Sequence, residues 1–405
     1  MSIDCRTRRH TDLRKIGVDE AFEQLLPAAV ARNGHLAARG IASRNIAGLR
    51  LQVADRGLTL RVRDDELQLS DRDDSDCIRA ELSADALSEL LQDQRTTMGL
   101  AMQSLVKITR GDFDHWISWE PVFRALLDGR PVHEPGAITL QDPHGSPLDV
   151  KRSFSLDDDP AVMQHQLEEA GFLHVQSVFS GAEMAQVSHD LNNALKRATP
   201  DDGASWWAED AGGKQQAVRV LWFEEQSDRL HKLLHDERLQ WLADLTGDGH
   251  DGSAMSAEGL IKPLHIRKGL SDLPWHKDCG QGGHSLRCNG LTVGISVTGA
   301  DSESGALGVI PGSHRANVQI AGQDPSLDLA PVKLETLTGD ITVHCSDTLH
   351  RAHSPSKRTR QVVYTSFQLP PLPGDRVPAP PDSQQRKARA RLTNVQDRIA
   401  GAGRS

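Results

Sequence analysis

The heptapeptide PWHKDCG, residues 274–280, decides how the C-terminal half of this chain is interpreted. Residues two apart on a β-strand point to the same face, so His276 and Asp278 could bind one metal ion together. The spacing alone is weak evidence, because the alternative is a surface salt bridge. Two further His–acid pairs with this spacing occur in charged or polar sequence, His10–Asp12 and His235–Glu237. The surroundings of the heptapeptide therefore have to decide.

A third metal ligand is expected in the segment GDITVHCSDTLHRAHSPSKRTR, residues 339–360, which contains His344, His350 and His353. Two histidines and one carboxylate on one face of a metal ion form the facial triad of non-haem Fe(II) oxygenases. That triad leaves coordination positions open for a co-substrate and O₂. His350 is the favoured third ligand. His353 could instead lie just outside the ligands, and His344 is expected to be packed or hydrogen-bonded.

Arg360 follows His350 by ten residues, on the strand expected to return beside it. A guanidinium inside a narrow barrel is costly unless an anion pairs with it, and arginine binds carboxylates bidentately. A dicarboxylate that chelates iron at one end needs such a partner at the other, so the set predicts 2-oxoglutarate. The alternative is a solvated charge beside Lys357 and Arg358.

The bulk composition indicates a globular protein of two domains, with 405 residues, 25% charged and 38% hydrophobic. There is no run of roughly eighteen apolar residues, and the N-terminus lacks the apolar core of a secretory signal. A net charge of −10 argues against non-specific nucleic-acid binding. Five cysteines without a CxxC pair suit a reducing compartment, so we expect a cytoplasmic protein with no membrane span.

Periodicity divides the chain into an α+β region and a strand-rich region. Leu49, Leu51 and Val53 alternate with polar residues, as do residues 58–62, which predicts a hairpin. Helices are expected over 83–94, in WEPVFRALLDGRPV, and after a capping box at Ser180 and Glu183. Short alternating strands from residue 290 onward predict a barrel or jelly roll with flanking helices. The predicted divisions are an α+β domain (18–135), a linker (136–156), a barrel domain (157–370) and a Pro-rich, basic tail (371–405).

From about residue 158 to 370 the sequence resembles the phytanoyl-CoA dioxygenase-like Fe(II)/2-oxoglutarate oxygenases, which have a double-stranded β-helix. The resemblance rests on EEAGFLHVQSVFS, LPWHKD, SGALGVIPGSHR and GDITVHCSDTLH, followed by Arg360. It implies that His276, Asp278 and His350 bind iron and that Arg360 anchors the distal carboxylate of 2-oxoglutarate. Lys268 is a second candidate contact for the co-substrate, and His314 of the IPGSH turn is expected to be structural.

The sequence departs from the family after the distal histidine. Many members have a hydroxyl residue and then an asparagine at the places that hold Ala352 and Pro355 here. Ser354 or Thr365 could supply the missing contact to 2-oxoglutarate. Residues 18–135 resemble the sterol-carrier-protein-2-like fold, through GLRLQVADRGLTLRVR and TRGDFDHWISWEPVFRALLDGRP. A structural appendage is favoured over a lipid carrier for this region.

These observations predict a hydroxylase that acts on a small organic, lipid-like substrate and releases succinate and CO₂. Trp275 is expected either to line the substrate pocket or to pack in the core. Trp206 and Trp207 are assigned to a loop, as a lid or a packing anchor. A zinc site at His276, Cys279, His284 and Cys288 has irregular spacing and is disfavoured. The alternative functions are a zinc-dependent hydrolase or isomerase and a non-enzymatic lipid-binding protein with a degenerate barrel.

Overall fold

The structure, a computed structural model, describes residues 13–251, 256–269, 273–279, 290–322, 324–370 and 382–390. Its first part is a five-stranded sheet covered by helices. In chain order the elements are α1 (Val18–Glu20), α2 (Leu26–Arg44), β1 (Leu49–Val53), β2 (Arg56–Arg63), β3 (Glu66–Ser70), β4 (Ile78–Leu82), α3 (Ala84–Leu91), α4 (Thr97–Met102), β5 (Val106–Arg110), α5 (Phe113–Ile117) and α6 (Glu120–Asp128). The strand order is β3-β2-β1-β4-β5.

The predicted hairpin and helices of this domain are confirmed. β1 and β2 pair antiparallel, with Leu49 opposite Leu60, and both side chains are fully buried. Helix α3 begins after Ser83, whose side chain accepts a hydrogen bond from the Ala86 amide. Helix α6 is buried on all sides over residues 120–126 and is capped by Gly129 in the left-handed region, φ +69°. Alternation and capping are local signals, so these elements could be derived without tertiary information.

The second part of the chain contains two facing sheets and the helices that cover one of them. In chain order the elements are α7 (Pro160–Ala170), β6 (Phe172–Val175), α8 (Gly181–Arg197), β7 (Ser205–Asp210), β8 (Gln215–Val220), α9 (Asp228–Leu234), α10 (Glu237–Asp244), β9 (Glu258–Lys262), β10 (Ile266–Lys268), β11 (Leu273–His276), β12 (Gly290–Ser296), β13 (Leu307–Val309), β14 (Val332–Leu334), β15 (Ile341–Cys345), β16 (His350–Ala352), β17 (Arg360–Gln368) and α11 (Ser383–Ala390).

The two sheets have the connectivity of a jelly roll. The large sheet has the order β10-β7-β8-β9-β17-β12-β15-β6, and the small sheet has the order β11-β16-β13-β14. Along the chain, β9, β12, β15 and β17 belong to the large sheet and alternate with strands of the small one, namely β11, then β13 and β14, and then β16. Only β10 interrupts this exchange, because it follows β9 and lies at the edge of the large sheet. This exchange between sheets confirms the predicted barrel class.

The strands of the large sheet have an outer face against helices and an inner face toward the small sheet. Leu291, Val293 and Ile295 of β12 point outward into a buried core with residues of α8, α9 and α10. The alternate residues of β12, Thr292, Gly294 and Ser296, therefore point inward. The predicted capping box of α8 is confirmed, since Ser180 and Glu183 exchange both hydrogen bonds.

The loop assignment of Trp206 and Trp207 was wrong, because both lie in strand β7. The strand pairs with β8, with Trp206 opposite Arg219, and Trp206 is 3% exposed. Glycines flank this stretch at positions 203 and 212–213, which belong to the adjoining turns. Pairing with β8 and burial of an indole therefore outweigh the turn-forming residues on either side.

A short segment, residues 317–322, joins the N-terminal domain to the metal-binding side of the barrel. The side chains of Ile320 and Ala321 lie in the hydrophobic core of the N-terminal domain. The backbone of the same segment pairs with β11: the Lys277 amide donates to the Ile320 carbonyl at 2.9 Å, and the Gly322 amide donates to the Trp275 carbonyl at 2.8 Å. The N-terminal core is thus continuous with a strand neighbour of His276.

The predicted linker 136–156 also packs on the barrel, since Phe154 is 1% exposed in the core beneath the helices. Within the described residues, no helix combines the length and the apolar character needed to cross a bilayer.

Candidate metal centre

Three potential metal ligands converge between the sheets. His276 ends β11 and His350 begins β16, and these two residues are paired across the small sheet. The Nε2 atoms of His276 and His350 lie 3.4 Å and 3.5 Å from Oδ1 of Asp278. One ligand atom from each of the three residues lies within 4.8 Å of the others. Asp278 is beyond the end of β11, so the carboxylate is directed inward by its own contacts and not by strand alternation.

Hydrogen bonds fix the orientation of each ligand. The Nδ1–H of His276 donates to the Pro274 carbonyl at 2.8 Å, and the Nδ1–H of His350 donates to the Thr348 carbonyl at 3.0 Å. Both rings therefore hold the tautomer in which Nε2 is free to bind a metal. The Thr292 hydroxyl donates to Oδ2 of Asp278 at 2.9 Å, which leaves Oδ1 facing the histidines.

His344 lies beside this group as a fourth imidazole. Its Nε2 is 3.8 Å from Oδ2 of Asp278, and its ring centroid is 4.4 Å from that of His350. Both ring nitrogens are buried and have no hydrogen-bond partner in the described part of the chain. The expected hydrogen-bonded role of His344 is therefore not observed there, although it is packed as expected.

The electrostatics of the centre favour an ionised carboxylate. Burial raises the pKa of Asp278, but the facing His350, His276 and His344 oppose this and hold the pKa well below its usual range. Burial and the neighbouring His350 lower the pKa of His344 to about 4, so this ring is neutral at pH 7. Burial lowers the pKa of His350, but the facing Asp278 carboxylate outweighs this and raises it. An ionised carboxylate and a neutral imidazole are the forms that bind metals, so a metal ion at this centre would displace any proton that His350 carries.

A buried pair of cations lies on the same inner face. Arg360 begins β17 directly opposite Lys262 of β9, and these residues are 5% and 4% exposed. The Lys262 ammonium donates to the His353 carbonyl. The Nε and Nη2 atoms of Arg360 have no partner within the described residues. Like charges directly opposite each other on a sheet are destabilising, so this pair calls for an anion.

Lys268, the second predicted co-substrate contact, lies elsewhere. It is exposed on β10, at the edge of the large sheet, with β7, β8 and β9 between it and Arg360. Lys262, six residues earlier, occupies the position that was assigned to Lys268. The correction reflects strand pairing, which places β9 and not β10 next to β17.

Trp275 packs away from the metal ligands. It is adjacent to His276 on β11 and therefore points to the opposite face of the strand. It is 7% exposed in an apolar cluster with Ile310, Ala316, Val318 and Leu349. The core alternative is thus correct for Trp275, and the substrate-pocket assignment is not.

Ser354 and Thr365 were suggested to replace the hydroxyl contact that Ala352 cannot make, but both lie outside the inner face. Ser354 is exposed. Thr365 shares the outward face of β17 with Val363 and Phe367, and its hydroxyl donates to the Ser256 carbonyl at 3.2 Å. For the disfavoured zinc site, Cys279 is partly buried, and residues 284 and 288 are outside the described residues.

The inner face holds further polar residues that sequence reasoning did not identify. The single tyrosine of the chain, Tyr364, is opposite Gly294, where an added Cβ would come within 3.1 Å of the tyrosine ring. Glu258 is opposite Tyr364 on β9, and its carboxylate lies 2.9 Å from Nε of Arg219 on β8. Period-two alternation in β9 and β17 could have indicated a shared face but not which face.

Two imidazole Nε2 atoms and one ionised carboxylate form a donor set that suits a divalent transition metal, Fe(II) or Zn(II). The fixed tautomers and the Thr292 hydrogen bond are the outer contacts expected around such a site.

Comparison with known proteins gives a family for this part of the chain. Residues 167–362 match the family model described as phytanoyl-CoA dioxygenase (PhyH). No curated protein matches the chain by sequence. Solved structures with a similar fold include the non-heme alpha ketoglutarate dependent epimerase SnoN from nogalamycin biosynthesis, at 19% identity over 56% of this chain and 98% of that one, with a TM-score of 0.42.

Two more solved structures are similar to the same part of the chain. EvdO2 from Micromonospora carbonacea var. aurantiaca, complexed with 2-oxoglutarate, is 21% identical over 55% of this chain and 94% of that one, with a TM-score of 0.39. EctD from S. alaskensis, in its apoform, is 18% identical over 56% and 86%, with a TM-score of 0.45. These likenesses are too weak to transfer a reaction or substrate. The match over 167–362 identifies this segment as a PhyH family domain.

Proposed function

We propose that this chain is an Fe(II)- and 2-oxoglutarate-dependent oxygenase that hydroxylates a small organic substrate. His276, Asp278 and His350 would hold the metal, and Arg360 with Lys262 would hold the distal carboxylate of 2-oxoglutarate. Bound Fe(II) would supply the activation of O₂, with 2-oxoglutarate oxidised to succinate and CO₂. The ionised carboxylate of Asp278 occupies a ligand position and favours hydroxylation, since halogenating members of the family lack this ligand.

The buried cations carry the proposal. A metal centre of this composition would equally suit Zn(II) and a hydrolase. Arg360 distinguishes the two, because its guanidinium is nearly inaccessible and its Nε and Nη2 atoms have no hydrogen-bond partner among the described residues. It also lies opposite Lys262, on the inner surface that bears the ligands. A guanidinium that is buried without an anion destabilises the protein. A dicarboxylate that the metal binds at one end would pair with this guanidinium at its other end.

The residues of the chain have separable roles in this proposal. Thr292 orients Asp278, while the Pro274 and Thr348 carbonyls orient the two histidine ligands. The Lys262 ammonium bonds to the His353 carbonyl and adds positive charge beside Arg360. Phe172 and Val309 are buried and lie opposite His344 and His350 on neighbouring strands, so they would keep water from that side of the ligands.

For the N-terminal domain, we keep the sterol-carrier-protein-2-like resemblance of residues 18–135 as a proposal and assign the domain a supporting role. Its core is filled by its own side chains and by Ile320 and Ala321. A side chain at Gly40 would come within 2.4 Å of Val132. Dense packing of this kind favours a structural domain over a lipid carrier.

The test is an anaerobic titration of the metal-free chain with Fe(II) and then 2-oxoglutarate, read as a visible metal-to-ligand charge-transfer band. We expect the band in wild type and not in His350→Ala or in a Zn(II)-loaded sample. Arg360→Gln should still bind Fe(II) but require about 10- to 100-fold more 2-oxoglutarate, the value of a charge-assisted contact. The matched control is Arg358→Gln, since Arg358 is exposed and pairs with Asp301.

The alternatives make different predictions in the same experiment. A zinc-dependent hydrolase or isomerase would retain Zn(II) and show no band and no response to 2-oxoglutarate. A degenerate barrel with a lipid-binding N-terminal domain would bind neither metal nor 2-oxoglutarate. Either result would overturn the proposed function.

A further inference from the structure

Beside the metal ligands, the inner face carries a group of four side chains, Trp206, Arg219, Glu258 and Arg389, that the proposed chemistry does not use. We call it the guanidinium cluster. The carboxylate of Glu258 contacts both arginines, with Oε2 at 2.9 Å from Nε of Arg219 and Oε1 at 3.0 Å from Nη2 of Arg389. Both guanidinium groups lie over the Trp206 ring, at 4.5 Å and 5.0 Å from its centroid.

Strand pairing places this cluster at the same end of the barrel as the metal ligands. Glu258 is opposite Tyr364, and Tyr364 is opposite Gly294, two residues along β12 from Thr292. Thr292 holds the Asp278 carboxylate. Glu258 is thus two strands to the side of Thr292, about 10 Å at the usual strand spacing, and Arg219 and Trp206 lie on the next two strands outward.

The C-terminal helix α11 supplies Arg389 and lies against the cluster. The indole N–H of Trp206 donates to the Arg389 carbonyl at 3.1 Å, and Ala390 packs with Trp206 and Leu221. At the other side of the helix, Arg386 forms two hydrogen bonds with Glu225. Residues 382–390 of the predicted Pro-rich, basic tail therefore dock on Trp206 of β7.

The cluster has more positive than negative charge. Two arginines share one carboxylate, and Nε of Arg219 is buried and makes no well-formed hydrogen bond with the described residues. The side chain of Arg219 is only 15% exposed, so bulk water solvates it poorly. The metal centre would not supply an anion to the guanidinium cluster, because Fe(II) and Arg360 would neutralise the 2-oxoglutarate dianion. A buried cation of this kind is stable when an anion pairs with it.

We propose that the guanidinium cluster binds the substrate and that the substrate is an organic carboxylate. Its carboxylate pairs with Arg219 and Arg389, and its carbon skeleton extends past Tyr364 toward the metal. Helix α11 closes the site and brings Arg389 with it. This inference deepens the proposed function and rests on it for the position of the oxidised carbon, whereas the charge of the bound group rests on the cluster alone.

The test compares two probes of equal size and different charge, phenylacetate and phenylacetamide, by calorimetric titration of the full chain. Titrations are run on the chain loaded anaerobically with Fe(II) and 2-oxoglutarate and on the metal-free chain. We expect phenylacetate to bind the wild type about 10- to 100-fold more tightly than the amide. Arg219→Gln should abolish this preference.

Two further variants keep the result interpretable. Arg389→Gln changes only the terminal helix, so it weakens phenylacetate binding without endangering the barrel. Arg386→Gln is the matched control, because Arg386 is on the same helix and pairs with Glu225 outside the cluster. The inference is overturned if the wild type binds both probes equally, if it binds neither, or if Arg219→Gln keeps the preference. A preference that persists in a chain unable to bind Fe(II) or 2-oxoglutarate would refute the oxygenase but not the anion site.

Discussion

The contact between the N-terminal domain and β11 predicts that a substitution remote from the metal ligands will weaken metal binding. In Ile320→Ala the change is confined to a side chain that is 1% exposed in the N-terminal core. The backbone of the same residue accepts a hydrogen bond from Lys277, which lies between the ligands His276 and Asp278. Loss of the side chain should therefore loosen the strand neighbour of both ligands.

The magnitude follows from two separate costs. Replacing a buried isoleucine by alanine costs about 2–5 kcal/mol of stability. The two backbone hydrogen bonds between residues 317–322 and β11 contribute about 0.5–1.5 kcal/mol each. If the segment shifts, the part lost from β11 is about 1–3 kcal/mol, which corresponds to a roughly 5- to 100-fold weaker metal affinity.

The assay is competition for Fe(II) or Zn(II) with a chelating dye, together with urea unfolding of the same protein. Leu67→Ala is the matched control, since Leu67 is 4% exposed in the same core but lies on the edge strand β3. This control should lose similar stability and keep its metal affinity. If Ile320→Ala binds metal as tightly as Leu67→Ala does, the N-terminal domain does not support β11 and the reasoning is refuted.

Three other outcomes are expected. Arg360→Gln should raise the half-saturating 2-oxoglutarate concentration for succinate formation about 10- to 100-fold, and Arg358→Gln should leave it unchanged. Hydrogen bonds from Arg238 lower the pKa of Glu183 from 4.5 to about 2, so this carboxylate stabilises the fold above pH 4.5 and the effect is lost as the pH falls toward 2. In urea unfolding, Glu183→Gln should cost about 1–2 kcal/mol at pH 7 and almost nothing near pH 2, a difference that pH-independent unfolding would contradict. Ending the chain after residue 381 should expose Trp206, seen as red-shifted, iodide-quenched emission; an unchanged spectrum would mean that α11 does not cover it.

The convergence of His276, Asp278 and His350 could be predicted from sequence because the signals for it are local. His276 and Asp278 are two residues apart, and His350 stands at a fixed distance after Gly339, where φ is +91° and an added Cβ would lie 1.9 Å from the Phe179 carbonyl. A glycine is required at that turn, so the count from it to the histidine is a structural constraint.

The partner of Arg360 could not be predicted in the same way. Lys262 and Lys268 both precede the first ligand and both occur in strand-like sequence. Which of them faces Arg360 depends on whether β9 or β10 pairs with β17, and that pairing spans about a hundred residues of sequence. Likewise, alternation shows that Thr365 differs from Tyr364 in the face it occupies, but only the packing of helices on one side identifies the inner face.

The charge of the proposed substrate site could not be predicted from the sequence, because it depends on strand pairing. Arg219, Glu258 and Arg389 come from three distant segments, and each stands in unremarkable polar sequence. Only the antiparallel order β8-β9-β17 and the docking of α11 bring them together beside Asp278. The N-terminal resemblance suggested a lipid-like substrate, whereas the inner face offers positive charge beside Trp206 and Tyr364. Because the residues that surround the metal decide what binds there, the charge of this face outweighs the resemblance of a separate domain. A carboxylate-bearing substrate is the expectation that follows.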